Sequence, residues 1–500
     1  MAYSNSPQFS TYKTVPVMFD GQDYFRTGNL AIERDIQIVN MYYSRVTQEN
    51  KVRETSLKKR PGLVASTYSL SKAVVTDAVR GSYYDVEQNA FYWSVNNKVY
   101  KVVPDVSTAT ITVQTLGTSV GYVGFSSFLK SDGTRLTCFT DGIDLWVEDY
   151  VAATTVQVTS PDLPTPHQPY PIYLDGYLFL IKTGTGDLYN SNVDDPETWT
   201  AGDFITAEIS SDYSIRPVKA KNYLIVFGAN SVEYFYNAGT ATGSPLARND
   251  SPYRAIGLVT GLKTISDTTY FIGQDAEQNL AVYSVNSFKI EKVSNEVVDR
   301  SLQVFNTTQN AKGNVYLGRD GYSISIDGKN FYAFVTNQTT WLYDIDDKFW
   351  YQWNGSDGTN LKIEAAWAMY NGAMYIAISN NATISFLSQT AYQDFGVNFK
   401  TRYTTEDITA DTLNWKNCHR IFIQCDMYNY TGQSLVKVTW SDNDWADGGS
   451  TDPRYINIFS SSQYITRCGR FRNRSIRIEY EDNYPLRMVK LELDVNVMGV

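Results

Sequence analysis

Histidine and cysteine are scarce in this sequence: two histidines (His167, His419) and four cysteines (Cys138, Cys418, Cys425, Cys468) in 500 residues. Two histidines exclude a histidine-rich metal site. No Cys-x-x-Cys spacing occurs, and a chain this long needs no covalent staples, so free thiols made in a reducing cytosol are expected. Excess positive charge is also missing. The formal charge is −10, which argues against gripping nucleic acid through its phosphates, since that grip comes from lysine and arginine. It suits solubility, or a surface past which nucleic acid slides. No apolar run reaches the length of a membrane span, so no stable membrane insertion is expected. The first 25 residues lack the basic start and apolar core of a secretory signal, which leads us to expect a soluble chain made in the cytoplasm. Long amphipathic helix patterns are nearly absent. So are a Gly-rich phosphate loop, a GxSxG elbow and an HExxH motif. No enzyme activity and no cofactor is expected.

What the sequence does have is aromatic, above all 38 tyrosines. The aromatics fall in a repeated phrase of strand, tight polar turn and strand. Copies run Phe91–Val95 with Lys98–Val102, Thr137–Phe139 with Leu145–Val147, and Tyr223–Phe227 with Ser231–Tyr236. Two more are Phe331–Thr336 with Trp341–Asp344, and Met374–Ile378 with Thr383–Phe386; looser relatives start at Tyr177 and Tyr270. A spacing of roughly 40 to 60 residues is that of four-stranded propeller blades. One such unit buries too little apolar surface to stand alone, whereas a ring of them shares a core and hides its edges. The fold expected is all-β: a β-propeller of six or seven irregular blades, with a β-rich, sandwich-like platform formed by the two terminal segments.

The boundaries follow from changes in pattern. Residues 1–65 hold strand-like pieces at Phe19–Gly21 and Arg34–Ser44, then a basic run, Lys51–Arg60, that ends at the turn signal Pro61-Gly62. That run reads as a solvated loop or as a dock for an acidic partner or phosphate. Residues 66–395 carry the hairpins, with turn signals such as Asp141-Gly142, Asp327-Gly328 and Asn371-Gly372, and with Pro161–Pro171 as an extended connector between blades. Residues 396–500 read as longer alternating strands, a sandwich-like module. Within it, Arg470, Arg472 and Arg474 would share one face of an extended chain and could pair with carboxylates or phosphate, or guard a sheet edge.

Acidic clusters are the remaining candidates for chemistry. Asp344 and Asp346 would point the same way on a strand, as paired glycosidase carboxylates do, but Asp346-Asp347 sits where an ordinary turn is expected. Asp442, Asp444 and Asp447 read as a calcium-holding or plain acidic loop. Asp194, Asp195 and Glu197 form a third group.

One continuous stretch is more specific. Leu188-Tyr-Asn-Ser-Asn-Val-Asp-Asp-Pro-Glu-Thr-Trp199 leads through Phe204 and Ala207-Glu208 to Leu224–Gly228, Ser231-Val-Glu233 and Pro252–Gly257. It resembles the packaged-DNA stabilisation proteins of short-tailed bacteriophages, also called tail hub or nozzle proteins. Asp195, Pro196, Trp199, Phe204, Gly228 and Glu233 fall on the pattern, with Asp195-Pro196 capping a turn and Trp199 anchoring a blade. Asn40 and Tyr42, then Pro61-Gly62-Leu63, are similar to that family's N-terminal pair, and Gly469 opens a matching arginine-rich strand. The resemblance implies a non-enzymatic virion protein of the phage tail. It implies a ring of identical subunits, similar to a hexamer, below a portal–adaptor complex, with tail fibres or spikes bound outside. Such a ring retains packaged DNA and later passes it, non-specifically, through its lumen. Lys58, Lys59, Arg60, Arg470, Arg472 and Arg474 are the candidate subunit or adaptor contacts. The alternative is a glycan-binding or glycan-cleaving propeller for host recognition, with Trp341, Trp350 and Trp353 stacking on sugars.

Overall fold

The computed structural model describes residues 13–17, 37–48, 51–66, 79–103, 112–240, 242–303, 320–336, 338–368, 373–378, 384–427, 430, 432–446 and 452–498. The strand expected at Phe19–Gly21, the turn at Asn371-Gly372, and Asp447 lie outside them. The chain divides into two units. The first contains residues 1–64, 338–361 and 388–500; the second contains residues 65–337 and 362–387. Residues 338–361 therefore group with the terminal segments rather than with the hairpins around them.

Among its described residues, the second unit is a β-propeller of six blades. Its first blade is Val79–Asp85, Ala90–Val95, Lys98–Val102 and Thr112–Thr115, and its second Gly124–Leu129, Arg135–Thr140, Leu145–Asp149 and Thr154–Gln157. The third is Ile172–Leu174, Tyr177–Ile181, Asp187–Asn192 and Asp195–Thr206. The fourth is Ser214–Ala220, Tyr223–Gly228, Val232–Asn237 and Leu246–Arg254, and the fifth Gly257–Ile265, Thr268–Gln274, Leu280–Asn286 and Lys289–Lys292. A helix at residues 296–303 and a hairpin, Tyr322–Ile326 with Lys329–Val335, precede the sixth blade, built on Ile363–Ala368, Met374–Ile378 and Ser385–Ser388. Asn96 takes a φ of 54° in the tight turn of the first blade, a conformation that asparagine tolerates better than most residues.

Hydrogen bonds tie neighbouring segments together around the ring. Val123 N–H donates to Arg80 O at 3.2 Å, and Ser214 N–H to Thr185 O at 3.0 Å. Gly321 N–H donates to Leu262 O at 3.3 Å and Tyr322 Oη to Ile363 O at 3.0 Å. Val79 N–H then donates to Glu364 Oε2 at 3.3 Å, joining the last blade to the first. The core lies between blades rather than within them. Phe91 of the first stacks on Trp367 of the sixth with ring centroids 3.8 Å apart. Phe128, Leu136 and Val147 of the second meet Leu178, Leu180 and Trp199 of the third. Each such side chain contributes about 1.5–3 kcal/mol on full burial, and only while its neighbouring blade is present. At the joint between the fourth and fifth blades, a Cβ on Gly257 would stand 1.8 Å from Ala229 O, so only glycine fits.

Among its described residues, the first unit has two sheets. One runs in the order Met41–Gln48, Lys51–Lys59, Arg487–Val497, Lys416–Cys425, Tyr464–Thr466, with Lys13–Val17 also on Arg487–Val497 and Arg470–Phe471 on Lys416–Cys425. The basic run at 51–59 is thus a strand, not a loop. The other sheet carries the hairpin Thr340–Asp344 with Phe349–Trp353, then Gln37–Val39, Thr401–Thr404, Ser475–Tyr480, Leu435–Ser441 and Arg454–Asn457. Alternation places Leu491, Leu493 and Val495 of one sheet, and Val436, Val438, Ile476 and Ile478 of the other, in the core; Met488, out of phase beside a register shift, is buried as well.

Candidate functional site

The family-signature residues fall at joints of the fold. Asn40 is the single residue between Gln37–Val39 in one sheet and Met41–Gln48 in the other, and it takes a φ of 57° to make the crossover. Its Oδ1 accepts from Arg60 Nε and from Asn354 N–H, both at 2.9 Å, and its Nδ2 donates to Lys400 O at 2.8 Å. Tyr42, next but one, is buried. Arg60 is fully buried and forms a two-pronged pair with Asp394: Nη1 to Oδ1 at 2.9 Å and Nη2 to Oδ2 at 2.6 Å. Its guanidinium lies 3.8 Å from the Phe399 ring centroid, so all of its faces are occupied. Pro61 and Gly62 follow in the same buried stretch; a Cβ on Gly62 would stand 2.1 Å from Gln393 O.

Lys59 is buried too. Its Nζ donates to Asp482 O at 2.7 Å and sits 4.4 Å from the centre of Phe399; burial first, then Arg60, pushes its ammonium down to about 7. Lys58 is half-buried. Arg474 is buried, with Nε on Asp442 Oδ1 at 2.7 Å and Nη2 on Asp442 Oδ2 at 2.8 Å, and it faces the Phe471 ring at 4.4 Å. The single-face arginine ladder expected from the sequence is therefore corrected. Arg470 and Arg472 are exposed, Arg472 lying 5.0 Å from the centre of the half-exposed Trp415, while Arg474 turns into the core. Arg470–Phe471 is only two residues long, and the bend that follows resets the alternation before Ser475–Tyr480 begins. Gly469, at a φ of 74°, makes the turn into this segment.

The central signature is a blade corner. Asp195 Oδ1 accepts from Glu197 N–H at 3.0 Å, and Trp199 Nε1 donates to Pro196 O at 3.1 Å, which fixes the buried indole between two blades. Phe204 stacks on Tyr189 at 4.9 Å. A Cβ on Gly228 would press on Asp212 Oδ2 at 2.5 Å. Glu233 is buried; its Oε1 accepts from Ile209 N–H at 3.1 Å, and burial raises its carboxyl.

Asp344, Asp347 and Asp442 are bound into the fold. Asp344 Oδ1 caps its own turn by accepting from Asp346 and Asp347 N–H, and Asp347 pairs with Arg45 at 2.8 Å. Asp442 is committed to Arg474. Among the described residues no cluster of histidine, cysteine, aspartate and glutamate could hold a metal ion. Trp341, Trp350 and Trp353 are buried, not exposed, so they form no sugar-stacking platform of the kind the glycan-binding alternative needs.

No motif in the chain announces a further cluster, on the propeller axis. Tyr122 and Tyr170 precede the inner strands of the second and third blades, Arg216 and Lys263 lie on those of the fourth and fifth, and Asp320 precedes the hairpin at Tyr322–Ile326. Arg216 pairs with Asp320 and stacks 4.3 Å from the Tyr170 ring centroid, and Tyr122 Oη donates to Asp320 from across the ring. The Arg216 and Asp320 side chains keep 18% and 21% exposure although protein surrounds them, as expected of groups lining a narrow channel. Burial and the Asp320 charge hold the Tyr122 hydroxyl well above the usual range; burial lowers the Lys263 ammonium, with Asp320 opposing. Their recurrence at intervals of about 46–57 residues is the one signal that could have found them.

Comparison with known proteins gives a family and a fold. The family model described as "Bacteriophage P22 Gp10, beta-propeller" (Phage_stabilise) matches residues 34–392. No curated protein matches the sequence. Among solved structures, the chain is similar to virginiamycin B lyase from Staphylococcus aureus (9% identity, 63% of this chain and 96% of that one, TM-score 0.40). It is also similar to the extracellular domain of the putative one component system BT4673 from B. thetaiotaomicron (10% identity, 80% of this chain, TM-score 0.41), spanning 48% of that protein's length. A chain of the Mitotic Checkpoint Complex gives 10% identity, 69% and 96% coverage and a TM-score of 0.37. Likeness at that level carries no functional argument. The family match covers most of the chain, and both the blades and the Asn40-to-Gly257 signature lie inside it: the chain belongs to the Phage_stabilise family of bacteriophage proteins that stabilise packaged DNA.

Proposed function

We propose that this protein is the repeating subunit of the distal tail tube of a short-tailed phage. Several copies, six in the reading taken from the family resemblance, form a ring that retains the genome and becomes its conduit at ejection. The ring attaches beneath the portal–adaptor complex and carries fibres or spikes outside. The observation that carries this reading, beside the family match, is the bridged axis. Tyr122 and Asp320 meet across the propeller, so a duplex cannot thread one chain, and a conduit has to be enclosed by several. Six copies at −10 carry about −60 in total, and a lumen lined by carboxylates repels phosphate and lowers sliding friction.

Among the contact residues expected from the sequence, Arg470 and Arg472 keep exposed side chains, and these two are the contacts to test. Charge reversal of both (R470E, R472E) is expected to leave the monomer's circular dichroism and melting unchanged while tails fail to assemble. Imaging of purified virions supplies the direct check. Tails that assemble normally with both reversals, or virions in which this chain lies outside the tail, would refute the proposal.

A further inference from the structure

Two of the four free cysteines face each other across a pair of strands in the terminal unit. Between the paired positions Arg420 with Thr466 and Asn417 with Arg470, two residues of one strand, Cys418 and His419, face three of the other, Arg467, Cys468 and Gly469. The extra residue makes a β-bulge. Cys418 bonds to both residues opposite it: its N–H donates to Gly469 O at 2.8 Å, and its carbonyl accepts from Cys468 N–H at 3.2 Å. Backbones paired in this way hold facing Cα atoms about 4.5–5.5 Å apart, inside the span of about 4.4–6.8 Å that a disulfide bridges. Both side chains are buried, and their thiols hydrogen-bond to each other. Arg467 and Gly469, on either side of Cys468, are exposed, so the pair lies one residue beneath solvent. The bond from Cys418, with the Arg474 and Arg454 charges, lowers the Cys468 thiol against the effect of burial, and so favours a nucleophilic thiolate there. Cys138 lies in the second blade and Cys425 at the far end of its strand, and burial raises both thiols.

We propose that Cys418 and Cys468 are an oxidative modification site, at which hydrogen peroxide converts the two thiols into a disulfide across the bulge. The Cys468 thiolate attacks one peroxide oxygen and the O–O bond breaks, which leaves a sulfenic acid and hydroxide. The Cys418 sulfur then attacks the Cys468 sulfur, the S–O bond breaks, and the oxygen leaves as water with the Cys418 proton. Two thiols and one peroxide thus become one disulfide and two waters. A chain made in a reducing cytosol carries the thiols, and exposure to peroxide outside it closes the bond. The site belongs to a single chain and stands independently of the tail-tube reading.

The full chain, purified with reductant and then desalted, is treated with hydrogen peroxide while folded, unfolded with N-ethylmaleimide present, and digested with trypsin. Cleavage after Lys416, Arg420, Arg467 and Arg470 should give peptide 417–420 joined to peptide 468–470, lighter by two hydrogens than their sum and separated by dithiothreitol. Cys138 and Cys425 should carry the maleimide. Oxidation should raise the urea midpoint of the terminal unit, because the bond restricts the unfolded chain, and Cys418→Ser should abolish that rise. In chain unfolded by urea before treatment, the same peroxide should give mixed pairings. Four maleimide-labelled cysteines after treatment of the folded protein, a folded-state bond that involves Cys138 or Cys425, or the same mixture from folded and unfolded chain would each overturn the proposal. The peptide measurement uses wild type, so it stands even if Cys418→Ser fails to fold.

Discussion

Acid should loosen this propeller through a single imidazole. His167 lies in the connector between the second and third blades, 2% exposed. Its Nδ1 donates to Pro164 O at 2.8 Å, which assigns Nε2 as the acceptor of the Thr140 hydroxyl at 2.6 Å; Thr140 Oγ1 in turn accepts Gly142 N–H at 3.0 Å. A proton on Nε2 would face a hydroxyl already committed as a donor, in a site with little water. Burial accordingly pushes the imidazole down from 6.5 to about 4, with the Pro164 carbonyl and Asp141 opposing. The sign follows from linkage. Between pH 6.5 and about 4 the unfolded chain binds a proton that the folded chain refuses, so stability falls as pH falls through that window and levels off below it. A gap of that size corresponds to about 3 kcal/mol at most, at about 1.4 kcal/mol per unit. Histidine-selective NMR suits the test because the chain has only two such rings, and His419→Gln assigns them. The His167 resonance should stay neutral through pH 5. In urea titrations, wild type should lose about 3 kcal/mol more between pH 7.5 and 4 than His167→Gln, whose amide can both donate and accept. A His167 midpoint near 6.5, or parallel acid losses in the two proteins, would refute the reasoning.

Arg60→Ala should leave Asp394 buried without its guanidinium and cost about 3–5 kcal/mol, read as a lower urea midpoint for the terminal unit; a loss under about 1 kcal/mol, the worth of an exposed pair, would show that the pair is dispensable. Gly257→Ala forces a methyl group onto Ala229 O and is expected to destabilise the joint between the fourth and fifth blades by about 1–3 kcal/mol or more, visible as faster amide exchange in those two blades.

The hairpins were legible because their signals are local. Asn96-Asn97 and Asp141-Gly142 stand between aromatic strands that alternate in period two, and strands such as Ala90–Val95 and Tyr223–Gly228 form where that pattern places them. The Asp195-Pro196…Trp199 corner was legible for the same reason: its bonds span two or three residues. Three things were not. The grouping of residues 338–361 with the termini rests on Val39 pairing in parallel with Gln352, a contact distant in sequence that no local pattern encodes. The inward turn of Arg474 depends on a bend that interrupts the strand. The axial cluster takes one residue from each of several repeats, of differing types, so it forms no motif. The glycan-binding alternative needs exposed tryptophans at 341, 350 and 353; their density instead builds the core of a sheet.

The terminal unit is stitched from three stretches of chain, and its central strand, Arg487–Val497, is synthesised after every propeller blade. That strand holds Lys13–Val17, Lys51–Lys59 and Lys416–Cys425 through registers such as Lys13 with Val495 and Leu57 with Met488. At about 5–20 residues per second on the ribosome, the early strands wait tens of seconds for it, while the propeller is already out. A ribosome that stalls before this strand therefore releases a propeller without a finished terminal unit. Completion of that unit certifies that translation has passed beyond the blades, and any assembly step that reads the finished unit rejects chains truncated ahead of it.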